Sequence, residues 1–476
     1  MESGLTLHSL WMVVPFAVLL GLIALAPVFA PKWWHRNYTT ISFGLGSLVL
    51  AYYLLVLRST GPILGVAHEY FSFICLIGSL FVVSGGIHIA VQSESKPGIN
   101  VLFLLVGAIL ANVIGTTGAS MMLIRPWIRL NRDRAAGFHI VFFIFIISNV
   151  GGCLTPIGDP PLFLGYLKGV PFWWITKMVL PIWVVGLGFL LTIFYILDRR
   201  HARRVSKTIS THPTEPVEKW RVEGVPNLLF LGIILGAVFI NHPPFVREGL
   251  MITAALGSWF TTKKQIHDSN EFSFGPIKEV AILFAGIFST MLPALDLLQT
   301  YAKSVTGISS GGVFWSSGFL SSVLDNAPTY LSFLTAIVSS FVDPDIVQQV
   351  QQLVQTQGST LASITGPQAE EIRRTFAALQ NHHHSLLASG KVEVEHIRIA
   401  YLIGNPTLSI YLLAISVGSV FFGANTYIGN GPNFMVKAIA DQAKICTPSF
   451  LGFIFRYSLP IMLPMLGLVW FLFFRH

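Results

Sequence analysis

Long apolar runs separated by short polar loops recur along almost the whole of this 476-residue chain. The first run, residues 8–29, is long enough to cross about 30 Å of hydrocarbon as a helix. The composition agrees, because 53% of the residues are hydrophobic and 11% are charged, against about 25% charged residues in a soluble domain. Backbone polar groups in lipid must bond to one another, which favours helices. The sequence therefore predicts an all-α polytopic protein, multi-pass in the cell (inner) membrane, with the lipid bilayer as a partner.

The net charge of +8 does not indicate a nucleic-acid partner. The basic residues lie mainly in short loops between apolar runs, where they report membrane orientation. The three cysteines are far apart in apolar surroundings and predict neither a disulfide framework nor a zinc site. The sequence contains no HExxH, P-loop GKS or GxSxG arrangement, so we expect no enzyme and no bound cofactor.

Two polar stretches divide the chain. Residues 198–224 carry a dense group of Lys and Arg, which predicts a cytoplasmic linker between membrane repeats at 1–197 and 225–476. Residues 342–396 are rich in Gln and contain an NHHHS segment. They are too polar to span lipid, so we expect an extracytoplasmic insertion within the second repeat.

The two halves contain matching interruptions. Residues 152–163 read GCLTPIGDPPLF and residues 423–434 read GANTYIGNGPNF, and they share Gly, Thr, Ile, Gly, Pro and Phe without a gap. Upstream, GAILANVIGTTGAS (107–120) and SSVLDNAPTYLS (321–332) are both small and polar within apolar surroundings. Their positions suggest that Asn112 corresponds to Asn326 in the second repeat. The distance from this interruption to the break is longer in the second half, and the insertion accounts for the difference.

The loop charges favour an inverted duplication. We expect residues 99–123 and 311–340 to form re-entrant hairpins, and residues 137–167 and 397–442 each to cross once as a broken helix. Each repeat then has five crossings plus a hairpin, and an odd number of crossings inverts the second repeat. Full crossings in place of hairpins would move the arginine cluster at 125–134 outside, against the charge bias.

Helix breaks at membrane depth are tolerated only where they line a polar site. A plain Pro/Gly kink would explain one such break, but not its recurrence with polar side chains. Asp159 and Asp325 are the charges in these segments and the candidate Na⁺ ligands, although each also resembles a helix N-cap. Neutral oxygens suited to an alkali cation complete the expected binding site: Asn112, Thr116, Thr117, Asn149, Thr155, Asn326, Thr329, Asn425, Thr426 and Asn430.

The chain resembles the ion transporter superfamily, in its NhaD-type sodium/proton antiporter and citrate transporter branch. The resemblance lies in HEYFSFICLIGSLFVVSGGIHI, SNVGGCLTPIGDPPLF and LDNAPTYLSFL. It implies an inverted-repeat fold, homodimers through a scaffold domain, elevator-type alternating access and sites at hairpin tips and helix breaks. Carboxylate-transporting members carry Ser-Asn-Thr signatures at both tips, whereas residues 112–117 here read NVIGTT and residues 325–329 read DNAPT.

Three functions compete. In the first, the aspartates hold Na⁺ when ionised and a proton when neutral, so the protein is a Na⁺/H⁺ antiporter whose Na⁺ and H⁺ are transported ions. In the second, half-helix dipoles bind citrate or a dicarboxylate together with cations. The third, a non-transporting membrane scaffold, leaves the duplicated breaks without a purpose. Two acidic groups oppose an anion, so the sequence favours antiport.

Overall fold

The computed structural model describes residues 11–90, 95–205, 221–240, 243–270, 272–301, 309–356, 361 and 364–475. These residues are predominantly helical. The helices are α1 (Val14–Phe29), α2 (Pro31–Ala51), α3 (Gly61–Gly85), α4 (Pro97–Leu130), α5 (Gly137–Ile146), α6 (Pro160–Leu167), α7 (Phe172–Val205), α8 (Asn227–Val238), α9 (Val246–Thr261), α10 (Lys264–Ser269), α11 (Gly275–Thr290), α12 (Leu292–Tyr301), α13 (Ser310–Val323), α14 (Asn326–Phe341), α15 (Pro344–Gln355), α16 (Ala369–His382), α17 (His384–Ala388), α18 (Val394–Gly404), α19 (Pro406–Phe422), α20 (Gly431–Gln442), α21 (Phe450–Phe453) and α22 (Leu463–Phe473).

Eight helical segments in the described part of the chain are long and apolar enough to cross a membrane. They are Pro31–Val56, Gly61–Gly85, Pro97–Leu130, Gly137–Leu154, Phe172–Arg204, Gly275–Leu297, Pro406–Asn425 and Phe450–Phe473. A ninth is formed if α14 and α15, which meet at an angle of 91°, count as one broken span. The protein is therefore a polytopic helical membrane protein, as the apolar runs predict.

Helix α4 folds back on itself as a hairpin. A straight helix of 34 residues would separate its ends by about 50 Å, yet Asn100 Nδ2 donates to Asn131 Oδ1 at 2.8 Å. The turn lies at Gly115, whose φ of 75° is readily adopted by glycine. The chain thus reverses direction at the tip of the first interruption.

The second interruption is also a pair of helices. Helices α13 and α14 are joined by Leu324 and Asp325 in extended conformation. The two helices contact each other, and both pack against α19. This second hairpin therefore packs against the helix that leads into the second break.

Both predicted breaks interrupt helices. Between α5 and α6 lies a short 3-10 turn, Val150–Leu154, and between α19 and α20 lies another, Gly423–Asn425. The second crossing is shorter than the predicted run of 397–442. Its first residues belong to the separate helix α18, and the crossing begins at Pro406, because a proline with no N–H starts a helix more readily than it continues one.

The predicted linker begins later than its charge pattern indicates. Helix α7 continues through Val205, so residues 198–205 are helical, and residues 206–220 lie outside the described part of the chain. Its far end forms strand β2 (Arg221–Glu223), which pairs antiparallel with β1 (His88–Ala90) in the register His88 with Glu223. The linker thus returns beside the end of α3.

The polar insertion is built from amphipathic helices. In α15, Ile346, Val350 and Leu353 are buried, whereas Gln351 and Gln352 are exposed. The buried face packs against α16 and α18. A helix with one polar face covers apolar surface at a solvent boundary without needing to cross lipid, which suits an insertion beside the membrane segments.

Acidification should loosen the insertion where it meets the turn between α6 and α7. His383 is buried against the backbone of Gly169, and its ring centroid lies 5.0 Å from that of His396. Burial, followed by the nearby His396 and His382, lowers the pKa of His383 from 6.5 to about 4. The folded form therefore resists protonation. The contribution of neutral His383 to the free energy of unfolding is fully present above pH 6.5. It decreases by up to about 3 kcal/mol as the pH drops from 6.5 toward 4.

Hydrogen exchange of α17, corrected for intrinsic rates, measures this effect between neutral pH and about pH 5. His383→Gln cannot titrate in this range, so its exchange should vary less with pH. Exposed His384, one residue later, provides the control His384→Gln, which should retain the dependence of the unmodified protein. Protection that is constant with pH in the unmodified protein would contradict the prediction.

Candidate functional site

The carboxylate of Asp159 lies where the two hairpins and the two breaks meet. It is 1% exposed. Thr116 Oγ1, in the first hairpin, donates to Oδ1 at 2.7 Å, and Asn326 Nδ2, at the second tip, donates to Oδ2 at 2.5 Å. Asn430 Nδ2, in the second break, donates to Oδ1 at 3.2 Å. One buried acid thus joins four elements that are distant in the sequence.

The two aspartates play different structural roles. Asp159 occupies the N-cap position of α6 in extended conformation, but its side chain makes no capping hydrogen bond. Pro160 and Pro161 need no hydrogen-bond acceptor there because they lack an N–H. Asp325 Oδ1, in contrast, accepts from Ala327 N at 3.1 Å and caps α14. The capping alternative therefore describes Asp325, whereas the Asp159 carboxylate is directed into the site.

The two breaks hold their hairpins with equivalent bonds. Thr155 Oγ1 donates to Asn112 O at 2.6 Å, and Thr426 Oγ1 donates to Ser322 O at 2.6 Å. Thr155 and Thr426 occupy matching positions of the duplicated motif, so Asn112 corresponds to Ser322. The predicted correspondence of Asn112 with Asn326 was therefore wrong by four residues. The residue of the first repeat that corresponds to Asn326 is Thr116. Both of these residues donate to Asp159.

Glycine is required where each break closes on itself. A Cβ added to Gly158 would collide with the carbonyl oxygen of Gly152, and one added to Gly429 would collide with that of Gly423. These four residues are the glycines shared by the duplicated motif. Their repetition thus reflects close backbone contact within each break.

A chain of amides joins the two breaks. Asn433 Oδ1 accepts from Asn149 Nδ2 at 2.7 Å, and Asn433 Nδ2 donates to Gly423 O and Thr426 O at 2.9 Å each. Asn149 Oδ1 in turn accepts from Asn430 Nδ2 at 3.2 Å. The sequence prediction did not include Asn433. The available signal was its place in the duplicated motif, where the first copy has an apolar residue, Leu162.

The other predicted residues lie around this centre. Asn112 Nδ2 donates to Gly151 O at 2.6 Å, which ties the first tip to its break. Asn425 Nδ2 donates to Ser322 Oγ at 2.9 Å, and Thr329 Oγ1 donates to Asp325 O at 3.0 Å. Thr117 lines a small cavity next to Asp159. Of the twelve predicted residues, four therefore meet at the Asp159 carboxylate, and the others support or flank it.

The cavity beside Asp159 has the size of a single ion. Its volume is about 20 Å³, and it lies between the first hairpin tip, the first break and α3. A volume of about 10–15 Å³ suffices for one water molecule, so the space accommodates one water or one desolvated alkali cation. Asn326 does not line this cavity but bonds to Asp159 through Nδ2. Within the described residues, its Oδ1 is buried without a hydrogen-bond partner, and it is a neutral oxygen of the kind that an alkali cation prefers.

Helices of this length, enclosing a buried polar site at paired helix breaks, define a multi-pass membrane transporter of the secondary type. The chain belongs to the family whose sequence profile is described as "Putative citrate transport", which matches residues 5–474.

Curated relatives are similar over part of the chain. A 46 kDa membrane protein of Mycobacterium leprae is 26% identical over 273 residues, which are 53% of this chain and 62% of that protein. An uncharacterized transporter of Mycobacterium tuberculosis is 25% identical over 278 residues, with the same coverage of 53% and 62%. The chain thus spans about three fifths of the length of these relatives.

Proposed function

We propose that this protein exchanges Na⁺ for H⁺ across the membrane. The observation that carries the proposal is the buried carboxylate of Asp159, held by neutral side chains of both hairpins and the second break beside an ion-sized cavity. A buried acid in a membrane segment is costly unless it binds an ion or a proton. In the described part of the chain, the hydrogen-bond donors to Asp159 are the neutral side chains of Thr116, Asn326 and Asn430, which leaves its charge available to a transported cation.

Exchange follows from competition for one carboxylate. When ionised, Asp159 binds Na⁺ together with neutral oxygens such as Thr116 Oγ1 and Asn326 Oδ1. When it carries a proton, the electrostatic attraction for Na⁺ is lost. Because the site holds either ion but not both, movement of one ion in one direction drives the other in the opposite direction. Asp325 lies at the second tip and contributes negative charge near the same site.

The architecture that we propose for this exchange is a pair of inverted repeats. Its support is the equivalence of the Thr155–Asn112 and Thr426–Ser322 bonds, which brings the two tips to one site. The resemblance to NhaD-type antiporters adds alternating access of the elevator type and a homodimer in the inner membrane. In this proposal the hairpins and broken helices move together past the remaining helices.

The proposed topology predicts which loops are accessible outside the cell. The arginines of the linker should be cytoplasmic and the insertion extracytoplasmic. Single cysteines placed at exposed Arg203 and at exposed Gln352, in a Cys446→Ser background, should differ in intact cells: a membrane-impermeant thiol reagent should label position 352 and not position 203. Labelling in permeabilised cells is the control, and the reverse pattern would show that the orientation is wrong.

A second candidate function is cation-coupled transport of citrate or a dicarboxylate. The specific observation that favours it is the family's description. Proteoliposomes with an internal pH dye, challenged separately with Na⁺, Li⁺, K⁺ and citrate, distinguish the two. We expect a Na⁺ gradient without citrate to change the internal pH. An inward Na⁺ gradient should make the interior alkaline, and an outward gradient should make it acidic. If uptake of labelled citrate requires Na⁺, and no Na⁺/H⁺ exchange occurs when citrate is absent, the protein is a carboxylate transporter and not an antiporter.

A further inference from the structure

The hydrogen bonds between the two breaks form a chain with a direction. Asn430 Nδ2 donates to Asn149 Oδ1 at 3.2 Å, and Asn149 Nδ2 donates to Asn433 Oδ1 at 2.7 Å. Asn433 Nδ2 ends this amide chain by donating to the carbonyl oxygens of Gly423 and Thr426, at 2.9 Å each. The three asparagine side chains are buried, with residue exposures of 0–2%, so their orientation depends on these bonds.

Backbone carbonyls determine the direction of the amide chain. A carbonyl oxygen can only accept a hydrogen bond, so an amide that contacts one must turn its nitrogen toward it. Asn433 meets two such carbonyls. Asn149 Nδ2 also donates to Ile144 O at 2.8 Å, and Asn430 Nδ2 also donates to Ser148 O at 3.0 Å. Rotation of any of the three amides would therefore turn an oxygen toward a carbonyl oxygen and lose hydrogen bonds.

The end of the amide chain next to Asp159 presents a donor to the site. Asn430 Nδ2 lies 3.2 Å from Asp159 Oδ1, so Asn430 contributes an N–H group to the carboxylate. In the duplicated motif Asn430 occupies the position of Asp159, and Asn433 occupies the position of Leu162. The amide that directs the chain is thus a feature of the second break alone.

The orientation of the Asn430 amide affects which cation fits. Proteins distinguish Ca²⁺ from Mg²⁺ by cavity size and by the number and flexibility of oxygen ligands, and the same reasoning applies to alkali cations. The cavity beside Asp159 has a volume of about 20 Å³, which suits a small desolvated cation. If the Asn430 amide rotated, its oxygen would add a ligand beside Asp159. An additional, adjustable oxygen favours a larger cation such as K⁺.

We propose that Asn433 is a positioning residue that makes the Asp159 site select Na⁺ over K⁺. Acting through Asn149, Asn433 keeps the nitrogen of the Asn430 amide toward Asp159 and its oxygen away from the bound cation. The inference rests on the proposed binding of Na⁺ at Asp159, and it deepens that proposal by assigning the size selectivity to residues behind the carboxylate.

Asn433→Leu tests the proposal, because it places in the second break the residue found at the matching position of the first. Apparent affinities for Na⁺ and K⁺ are obtained from the rise in unfolding temperature of the full chain as each cation is added to choline buffer. We expect the unmodified protein to prefer Na⁺, and Asn433→Leu to reduce the ratio of the two affinities about tenfold. In proteoliposomes the KM for K⁺ should fall, with little change in the maximum rate for Na⁺.

The matched control is Asn227→Leu. Asn227 is also a buried asparagine, and its Nδ2 donates to Gly86 O at 2.8 Å, but it is not part of the amide chain. Its replacement removes a comparable hydrogen bond and should retain the Na⁺ preference of the unmodified protein. Equal loss of preference in Asn227→Leu and Asn433→Leu would overturn the proposal, because it would report general loosening of the fold.

A double variant tests whether Asn433 acts through Asn430. Asn430→Leu has no amide oxygen to turn toward the cation, so its combination with Asn433→Leu should regain preference for Na⁺ over K⁺ relative to Asn433→Leu alone. Loosening of the second break by itself would not be reversed by this second substitution. A double variant that discriminates no better than Asn433→Leu therefore contradicts the role assigned to the Asn430 oxygen.

Asn433→Ser covers the case in which Asn433→Leu does not fold. The serine hydroxyl can donate to one of the two carbonyls, but it is too short to accept from Asn149 as well. We expect a reduced Na⁺ preference, in the same direction as for Asn433→Leu.

The outcomes distinguish this proposal from the Na⁺/H⁺ exchange. Thermal stabilisation reports cation binding whether or not protons move, so a Na⁺ preference that depends on Asn433 supports the positioning role even in a protein without exchange. Exchange whose Na⁺ preference is unchanged in the Asn433 variants overturns the positioning role and leaves the exchange standing. An unmodified protein that binds Na⁺ and K⁺ equally, or binds neither, overturns the positioning role as well.

Discussion

Asp159→Asn should yield a folded protein whose Na⁺-driven proton movement is reduced about a hundredfold or more. The amide has the shape of the carboxylate but can neither carry the negative charge nor exchange a proton in the relevant range. Folding should survive because the Asn326 and Asn430 amides can each rotate to offer an oxygen in place of a donor. The rate of change of an internal pH dye after a Na⁺ pulse, in proteoliposomes of equal protein content, gives the measurement.

Two further variants make this result specific. Asp345→Asn removes an exposed acid from the first turn of α15 and should exchange like the unmodified protein. Asp325→Asn retains a residue that caps helices as well as aspartate does, and it should lose less activity than Asp159→Asn. If Asp159→Asn exchanges at the unmodified rate, Asp159 is not the exchanging carboxylate. If only Asp325→Asn is inactive, that role belongs to the second tip.

Much of the membrane architecture can be predicted from local sequence. Apolar length determines which segments can span lipid, and the clustered glycines and prolines mark the two breaks between α5 and α6 and between α19 and α20. The shared glycines identify the breaks as copies because each needs the same close backbone contact, whatever the partner residues are. The polar surroundings of Asp159 can also be expected from local sequence, since an acid within an apolar segment usually faces a polar site.

The register between distant segments could not be obtained in this way. Ser322 matches Asn112 only through a backbone carbonyl that accepts a hydrogen bond, and a carbonyl is present at every residue. Spacing along the sequence therefore misplaced the second tip by one helical turn. Asn433 was missed for a related reason: its bonds to Asn149 and to Gly423 O join two breaks that are far apart in the chain. Such bonds depend on tertiary packing, which no local pattern encodes.

The arginines at 125–134 indicate the membrane orientation, and one of them, Arg134, also forms a buried ion pair. They predict a cytoplasmic loop from charge alone, but Arg134 is buried and paired with Asp198. Its Nη1 lies 2.6 Å from Asp198 Oδ1, and its Nη2 lies 3.0 Å from Oδ2. The same carboxylate accepts from Asn100 Nδ2 at 2.9 Å and contacts His139 Nε2 at 3.0 Å. One acid at the end of α7 thereby fastens the base of the first hairpin and the start of α5.

Asp198→Asn should consequently destabilise the protein by about 3–5 kcal/mol, because it leaves the buried Arg134 charge without an anionic partner. Thermal unfolding of the purified protein in detergent, followed by loss of monodisperse material, measures the change. An exposed pair supplies the comparison: Glu370 and Arg374, one turn apart on α16, are 64% and 52% exposed in their side chains. Glu370→Gln should cost about 0.5 kcal/mol or less, since solvent screens such pairs.

A double-mutant cycle separates the unpaired charge from the loss of packing. Arg134→Met removes the cation while keeping an unbranched side chain, so the combination of Asp198→Asn with Arg134→Met should be more stable than Asp198→Asn alone. The gain measures the cost of leaving Arg134 buried and unpaired. Were the two destabilisations simply additive, the ion pair would contribute little, and the hairpin base would be held by Asn100, Asn131 and the surrounding apolar contacts. A favourable interaction energy instead assigns the anchoring of the first hairpin to this buried pair, at the end opposite the tip that contacts Asp159.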